Sequence, residues 1–292
     1  MIIRRPCVPA LLLALLAGCG GKDTGSRSGA GGSKVYNGSS GAAAVPWFPN
    51  TAPLLLVPSK APDRALLVFA DSSIDEADEL PGDSTAKLLR LDGSSDPTKL
   101  AVLQNAEGCS ESSLDPVPSK PWGVGFIGGG PVALVADTLR AMSRADSATF
   151  VRQAYKLASA IPNGAGSRFG GLAFAIVDLW RMKTADGNTV FVAAMRRQLN
   201  QEDSPLEERT FIVAESDPAA SDGYSLVYSE RSSGAEETVE SRELLAAVTF
   251  PGSNAVELIV SHDFGDETSY ALVERSAPRQ WKMKWVSRRH SC

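Results

Sequence analysis

The chain of 292 residues holds two histidines, His262 and His290, so any acid–base or metal chemistry must be assembled from few groups. Ser261-His262-Asp263 carries the three residue types of a hydrolytic relay. Adjacent strand residues point to opposite faces, so these three cannot form the relay among themselves. A hydrolase using His262 would need partners from elsewhere in the chain. Zinc requires several converging His, Cys or carboxylate ligands, and the sequence spaces out no such cluster; neither a metal nor a cofactor is expected. Asp263, Asp266 and Glu267 could chelate calcium weakly in a turn, but a solvated acidic loop is the simpler reading. Gly123-Val124-Gly125-Phe126-Ile127-Gly128 spells the dinucleotide fingerprint, which works only between a strand and a helix N-terminus. Here Pro121 precedes it, and Pro131 with a strand-like 132–135 follows, so the glycines are expected where strands bend or approach closely. Glu236, Glu237, Glu240 and Glu243 are expected on an exposed loop or strand edge, where charge discourages edge pairing. No residue is assigned a catalytic role, and the chain is not expected to be an enzyme.

The elements that must position these groups are short apolar or alternating runs bounded by Asp, Gly and Ser. Runs 66–70, 87–91 and 100–103 predict strands. The stretch 109–121 holds Pro116, Pro118 and Pro121 and is not expected as a central strand. The strand pattern resumes over 122–139. Between Ser143 and Pro162, apolar residues at Ala148, Val151, Ala154, Tyr155, Ala158 and Ile161 predict one amphipathic helix over about 144–161. Ser143 and Asp146 resemble a capping box, Pro162 stops the pattern, and the polar face carries Arg144, Arg152 and Lys156. This helix is expected to pack on a sheet as the seam between two β regions. Runs 172–179 and 190–195 flank Asp186-Gly187, which predicts a hairpin with a tight primed turn. Further strands are predicted at 210–215, 224–228, 244–250, 256–260, 270–273 and 281–286. In the last, Trp281, Met283 and Trp285 alternate with Lys282 and Lys284, one face packed and the other wet. Lys282, Lys284, Arg288 and Arg289 could touch anionic lipid, although a solvated face suffices to explain them. The expected fold is mainly β and antiparallel: a meander, a degenerate propeller or a sandwich, with that one helix.

The N-terminus carries the most specific spacing. Arg4 and Arg5 precede a short apolar run from Val8 to Leu16, which ends in Leu16-Ala17-Gly18-Cys19. A charged start, a brief apolar stretch and small residues make a secretory signal, too short to span a bilayer. With cysteine after the cut site, the segment resembles a bacterial lipoprotein signal with its lipobox. The resemblance implies that Cys19 becomes the mature N-terminus, carrying a diacylglycerol and an N-acyl chain. Gly20 and Gly21 in place of an acid imply the outer membrane, with the protein facing the periplasm. Cys7 then leaves with the signal, so Cys109 and Cys292 remain in a compartment where disulfides persist. A Cys109–Cys292 bridge is expected, against two separate thiols, and closing so long a loop would contribute about 4–5 kcal/mol.

Removing residues 1–18 leaves 27 basic against 34 acidic residues, net −7, which argues against nucleic acid. With 43% hydrophobic and 22% charged residues the remainder can bury a core. The organisation expected is a signal over 1–18, a Gly/Ser-rich tether over 19–44, a β region over 45–142, the helix over 143–162 and a second β region over 163–292.

A faint repeat joins an apolar strand, an acidic turn and an alternating strand: 66–69 with Asp71 and 87–91, 211–214 with Asp217 and 224–228, 258–260 with Asp263 and 270–273. The unit that opens with Phe250-Pro251-Gly252-Ser253-Asn254 and ends at Val286 resembles a blade of the FG-GAP or integrin-type β-propeller repeats. Those repeats bind calcium through an Asp-rich turn, whereas this turn offers only Ser253 and Asn254. The expected function is a non-catalytic lipoprotein, similar to envelope lipoproteins of Gram-negative bacteria, that presents a β scaffold to a protein or glycan partner. The alternatives are an outer-membrane assembly factor and a periplasmic hydrolase using His262.

Overall fold

The structure is a computed structural model that describes residues 55–68, 84–103, 111–128, 130–163, 167–200, 205–221, 223–253 and 255–291. Cys19, Cys109 and Cys292, and with them the lipid and disulfide expectations, lie outside the described residues.

The first six strands are β1 (Leu55–Pro58), β2 (Arg64–Val68), β3 (Ser84–Leu89), β4 (Ser95–Leu103), β5 (Glu111–Asp115) and β6 (Val124–Ile127). They close into an antiparallel barrel in the order β1-β2-β5-β4-β3-β6, with Leu56 of β1 opposite Gly125 of β6. Leu56, Leu67, Leu88, Leu100 and Leu114 fill its interior, as period-two alternation directs. The fingerprint glycines work here as spacers. A Cβ on Gly125 would lie 2.7 Å from Leu88 Cδ2, and one on Gly123 would lie 2.2 Å from the carbonyl oxygen of Leu245. Contrary to expectation, the proline-rich stretch contains a barrel strand, since β5 pairs with both β2 and β4. All three prolines follow its last residue, so none removes a ladder donor.

Two short strands, β7 (Val132–Ala133) and β8 (Ala136–Thr138), then lead into helix α1 (Arg144–Ala160). The Ser143 hydroxyl accepts from the amide of Asp146 at 3.1 Å, and Ile161 is the C-cap. The Asp146 carboxylate turns to Arg181 at 3.1 Å, so only the serine half of the capping box forms.

Strands β9 (Ala175–Lys183), β10 (Thr189–Leu199), β11 (Leu206–Ser216) and β12 (Tyr224–Ala235) form a five-stranded sheet in the order β12-β11-β10-β9-β8. Strands β13 (Ser241–Thr249), β14 (Val256–Asp263), β15 (Thr268–Ala277) and β16 (Gln280–Val286) form a second in the order β16-β15-β14-β13-β7. The described residues are mainly β and antiparallel with one helix, and the two five-stranded sheets are meanders packed as a sandwich. The unit resembling a propeller blade supplies β14–β16.

Trp180, Val192, Phe211 and Val213 of one sheet meet Leu244, Leu258, Val260 and Trp281 of the other to make the sandwich core. The helix covers the outer face of the first sheet through Phe150, Ala154 and Ala158 against Phe191, Met195 and Ile212. The barrel covers the outer face of the second through Leu55, Val57 and Phe126 against Val248, Ile259 and Leu272. The layers therefore run helix, sheet, sheet, barrel. The helix is not the seam between the β regions; that seam is the barrel's contact with β13–β15.

One turn and one strand also depart from expectation. The hairpin joining β9 and β10 uses five residues, 184–188, closed by Thr184 N–H on the Asn188 carbonyl at 3.0 Å. Gly187 sits at φ +82° while Asp186 does not share positive φ, so this is a type I turn with a left-handed glycine instead of a primed turn. In β16 a bulge at Lys284 interrupts the alternation. Trp281 and Met283 enter the sandwich core, whereas Trp285 turns to the barrel side. Among the described residues, no helix is long and apolar enough to cross a membrane.

Candidate functional site

The inward rows of the sandwich change from apolar to charged at one end. In β10, Val190, Val192 and Ala194 are followed at the same spacing by Arg196 and Gln198; in β11 the row reads Glu207, Arg209, Phe211, Val213. Across the core, Val256, Leu258 and Val260 of β14 lead to His262, and Arg242 precedes Leu244 in β13. Register sets Arg196 beside Arg209 and Arg242 beside His262. These rows leave a cleft of about 520 Å³ whose lining includes Asp178, Arg196, Glu207, Arg209, Arg242 and Glu243.

His262, 6% exposed, lies in the wall of this end. Its Nδ1 is 2.9 Å from Glu240 Oε1, and its Nε2 faces Glu230 Oε2 at 3.6 Å without a hydrogen-bond partner. Arg242 donates through Nε to Glu230, through Nη2 to Glu240 at 2.8 Å and through Nη1 to the Ser232 hydroxyl at 3.2 Å. The Ser232 hydroxyl donates to the Glu240 backbone carbonyl at 2.7 Å, and the Tyr228 hydroxyl donates to Glu230. Burial, and then the Glu230 carboxylate, push the Tyr228 phenol upward, so it stays a donor. Burial holds His262 below its ordinary 6.5, and Arg242 adds to this against the pull of the two carboxylates.

One ligand atom from each of Glu230, Glu240 and His262 falls within 4.8 Å of the others, the metal-ligand convergence that spacing alone did not suggest. Arg242 already pairs with both carboxylates, however, and a metal would have to displace it. The trio reads as an ion-pair network tying β12, the β12–β13 connection, β13 and β14 together. Glu207, fully buried, is held by Arg209 and by Gln198 at 3.0 Å. Asp178 and Glu243 are exposed at the mouth, yet the protein packed around them partly desolvates both and raises their carboxyls, and the Asp178 charge raises Glu243 further.

The opposite end of the sandwich is closed by a complete network. Arg275 donates to Glu215 at 2.6 Å and to Asp186 at 2.9 Å, while Trp281 Nε1 and the Arg279 amide also bond Glu215, each at 2.9 Å. None of the side-chain atoms of Arg275, Glu215, Asp186 and Trp281 is a buried orphan, whereas the cleft end keeps the orphan His262 Nε2.

Of the residues singled out from sequence, Ser261-His262-Asp263 is split as alternation requires. His262 enters the sandwich, while Ser261 and Asp263 line a separate groove of about 700 Å³ between barrel and sheet. The Asp263 carboxylate accepts from Gly265 N–H at 2.9 Å, and Glu267 pairs with Arg289 at 3.4 Å. Lys284 bonds the buried Glu257 at 2.8 Å, which ties down one of the basic groups considered for lipid. Glu240, expected on a solvated loop or edge, is instead an ion-pair partner of Arg242 and His262. Sequence reasoning missed Glu230, Arg242, Arg196, Glu207 and Arg209. The signal for the last three was the period-two row running on from apolar to charged.

No protein-family model matches the chain, and no curated protein or solved structure matches it.

Proposed function

We propose that the chain is a lipoprotein anchored by Cys19 to the periplasmic side of the outer membrane, using its β scaffold to bind a protein or glycan partner without catalysis. The observation that carries the binding part is the cleft at the charged end of the sandwich. It gathers Arg196, Arg209, Asp178 and Glu243 on strands fixed by two apolar faces, which is how a rigid polar recognition site is built. The lipobox-like Leu16-Ala17-Gly18-Cys19 supports the location. Two or more acyl chains hold a protein stably where one does not.

A hydrolase using His262 draws on one specific contact, Glu240 at 2.9 Å from Nδ1, which is half of a relay. Against it, Nε2 faces the Glu230 carboxylate and not a hydroxyl or thiol. His262→Gln separates the two. Binding without catalysis expects any hydrolysis found on a panel of envelope substrates to survive the substitution, and abolished hydrolysis in a folded variant would favour the relay. Mass spectrometry of the mature N-terminus tests the location: an acylated Cys19 is expected, and an unmodified N-terminus would overturn the anchor.

A further inference from the structure

The groove between the barrel and the second sheet holds more polar chemistry than the fold uses. Its floor is a cross-strand row on the barrel side of the sheet, where Glu243 of β13 lies opposite Ser261 of β14 and Ser261 lies opposite Tyr270 of β15. The next pair on that face is Asp263 with Thr268. The facing wall is the end of the barrel, where Trp122 stands half-buried against the barrel interior. Arg90 fixes this wall, donating through Nε to the Pro121 carbonyl at 3.1 Å and through Nη2 to Asp96, while Gly123 N–H bonds the Leu89 carbonyl at 3.0 Å.

The Trp122 indole N–H, the Ser261 and Thr268 hydroxyls and the Tyr270 phenol have no hydrogen-bond partner among the described residues, and none of the four is sealed from solvent. Tyr270 is the most telling, because its side chain is only 8% exposed and still its hydroxyl opens on the groove. Asp92 and Asp263 each spend one carboxyl oxygen on their own turn, at 2.8 Å from Ser94 N–H and 2.9 Å from Gly265 N–H, and leave the other oxygen open.

We propose that this groove binds a neutral oligosaccharide. A sugar ring has an apolar C–H face and a rim of hydroxyls that both donate and accept. The indole of Trp122 suits the face, and carboxylate acceptors set among hydroxyl and indole donors suit the rim. Arg90 is committed to Asp96, which leaves Lys120 against the carboxylates of Asp92, Asp263 and Glu243, so a phosphate or another anion is disfavoured. A peptide strand would look for an unpaired ladder of backbone groups, and the floor offers none, since β14 is paired on both sides. The volume, about 700 Å³, is that of small-ligand sites, about 300–1,000 Å³. The wall is fixed before any ligand arrives, so little is lost to ordering. The site stands apart from the charged cleft, with which it shares Glu243 alone, and does not depend on it.

The test is calorimetric titration of the full chain with N-acetylated chitotetraose, cellotetraose, maltotetraose and, as a peptide of similar length, tetraalanine. At least one of the sugars should bind with a Kd below about 1 mM, unchanged between low and high salt, and tetraalanine should not bind. Because the Ser261 and Thr268 hydroxyls bond nothing in the fold, Ser261→Ala with Thr268→Ala should weaken that sugar about tenfold and leave the thermal midpoint unchanged. Trp122→Ala should abolish binding, and Trp122→Phe, which keeps a ring, should restore part of it. Val177→Arg, in the lining of the separate cleft, should leave the sugar affinity intact. No binding of any of the sugars, binding of tetraalanine in their place, or a sugar affinity that survives both the Ser261/Thr268 variant and Trp122→Ala would overturn the proposal. Failure of the cleft to bind a partner would leave the sugar titration standing.

Discussion

His262 is the residue whose titration the cleft controls. Burial, reinforced by Arg242, keeps its folded pKa below the ordinary 6.5, against Glu230 and Glu240. The unfolded chain therefore takes the proton first, so the contribution to stability is whole above pH 6.5 and is lost as pH falls through 6.5 toward the folded value. His290 moves in the same direction, through burial and then Arg288. The carboxyls of Asp178, Glu243 and Glu257 are raised, so their share falls as pH climbs above the ordinary carboxyl range. A comparison with His262→Gln isolates the imidazole. Thermal melts between pH 7.5 and 5.5 should show a shallower acid decline in the variant, by at most about 1.4 kcal/mol per pH unit. An identical decline in both would contradict the assignment.

The strands show why much of the architecture was legible in the sequence and the site was not. Apolar alternation in 210–215, 244–250 and 256–260 marks strands because each buries one face or both. The predicted runs stop short of the true ends of β10, β11 and β12, because their charged rows look like loop when read without a partner sheet. Barrel closure needs β1 to find β6 across some seventy residues, which no local pattern records. The cleft draws side chains from β9, β10, β11 and β13, so no short motif announces it. At the closure itself, Gly125→Ala puts a methyl group against Leu88 and Leu56. It should cost about 1–3 kcal/mol in chemical denaturation, whereas an unchanged midpoint would mean that the barrel wall yields freely.

The described residues form a stack whose two outer layers differ in kind: a helix with basic charge on one side, a barrel on the other. Between them the sandwich has one end sealed by Glu215 and Arg275 and one end open at the cleft. That asymmetry is why recognition is proposed at the open end, and it follows from where the inward rows turn polar. The two ends can be compared in the same intact cells by placing a photo-crosslinking side chain at Ser241, in the cleft, or at Ser276, beside the sealed end. A discrete envelope adduct should form from Ser241 and be absent from Ser276, and barrel-assembly machinery in that adduct would specify the assembly-factor role. Adducts from Ser276 and none from Ser241, or none from either position, would contradict the claim that the open end of the sandwich is the binding site.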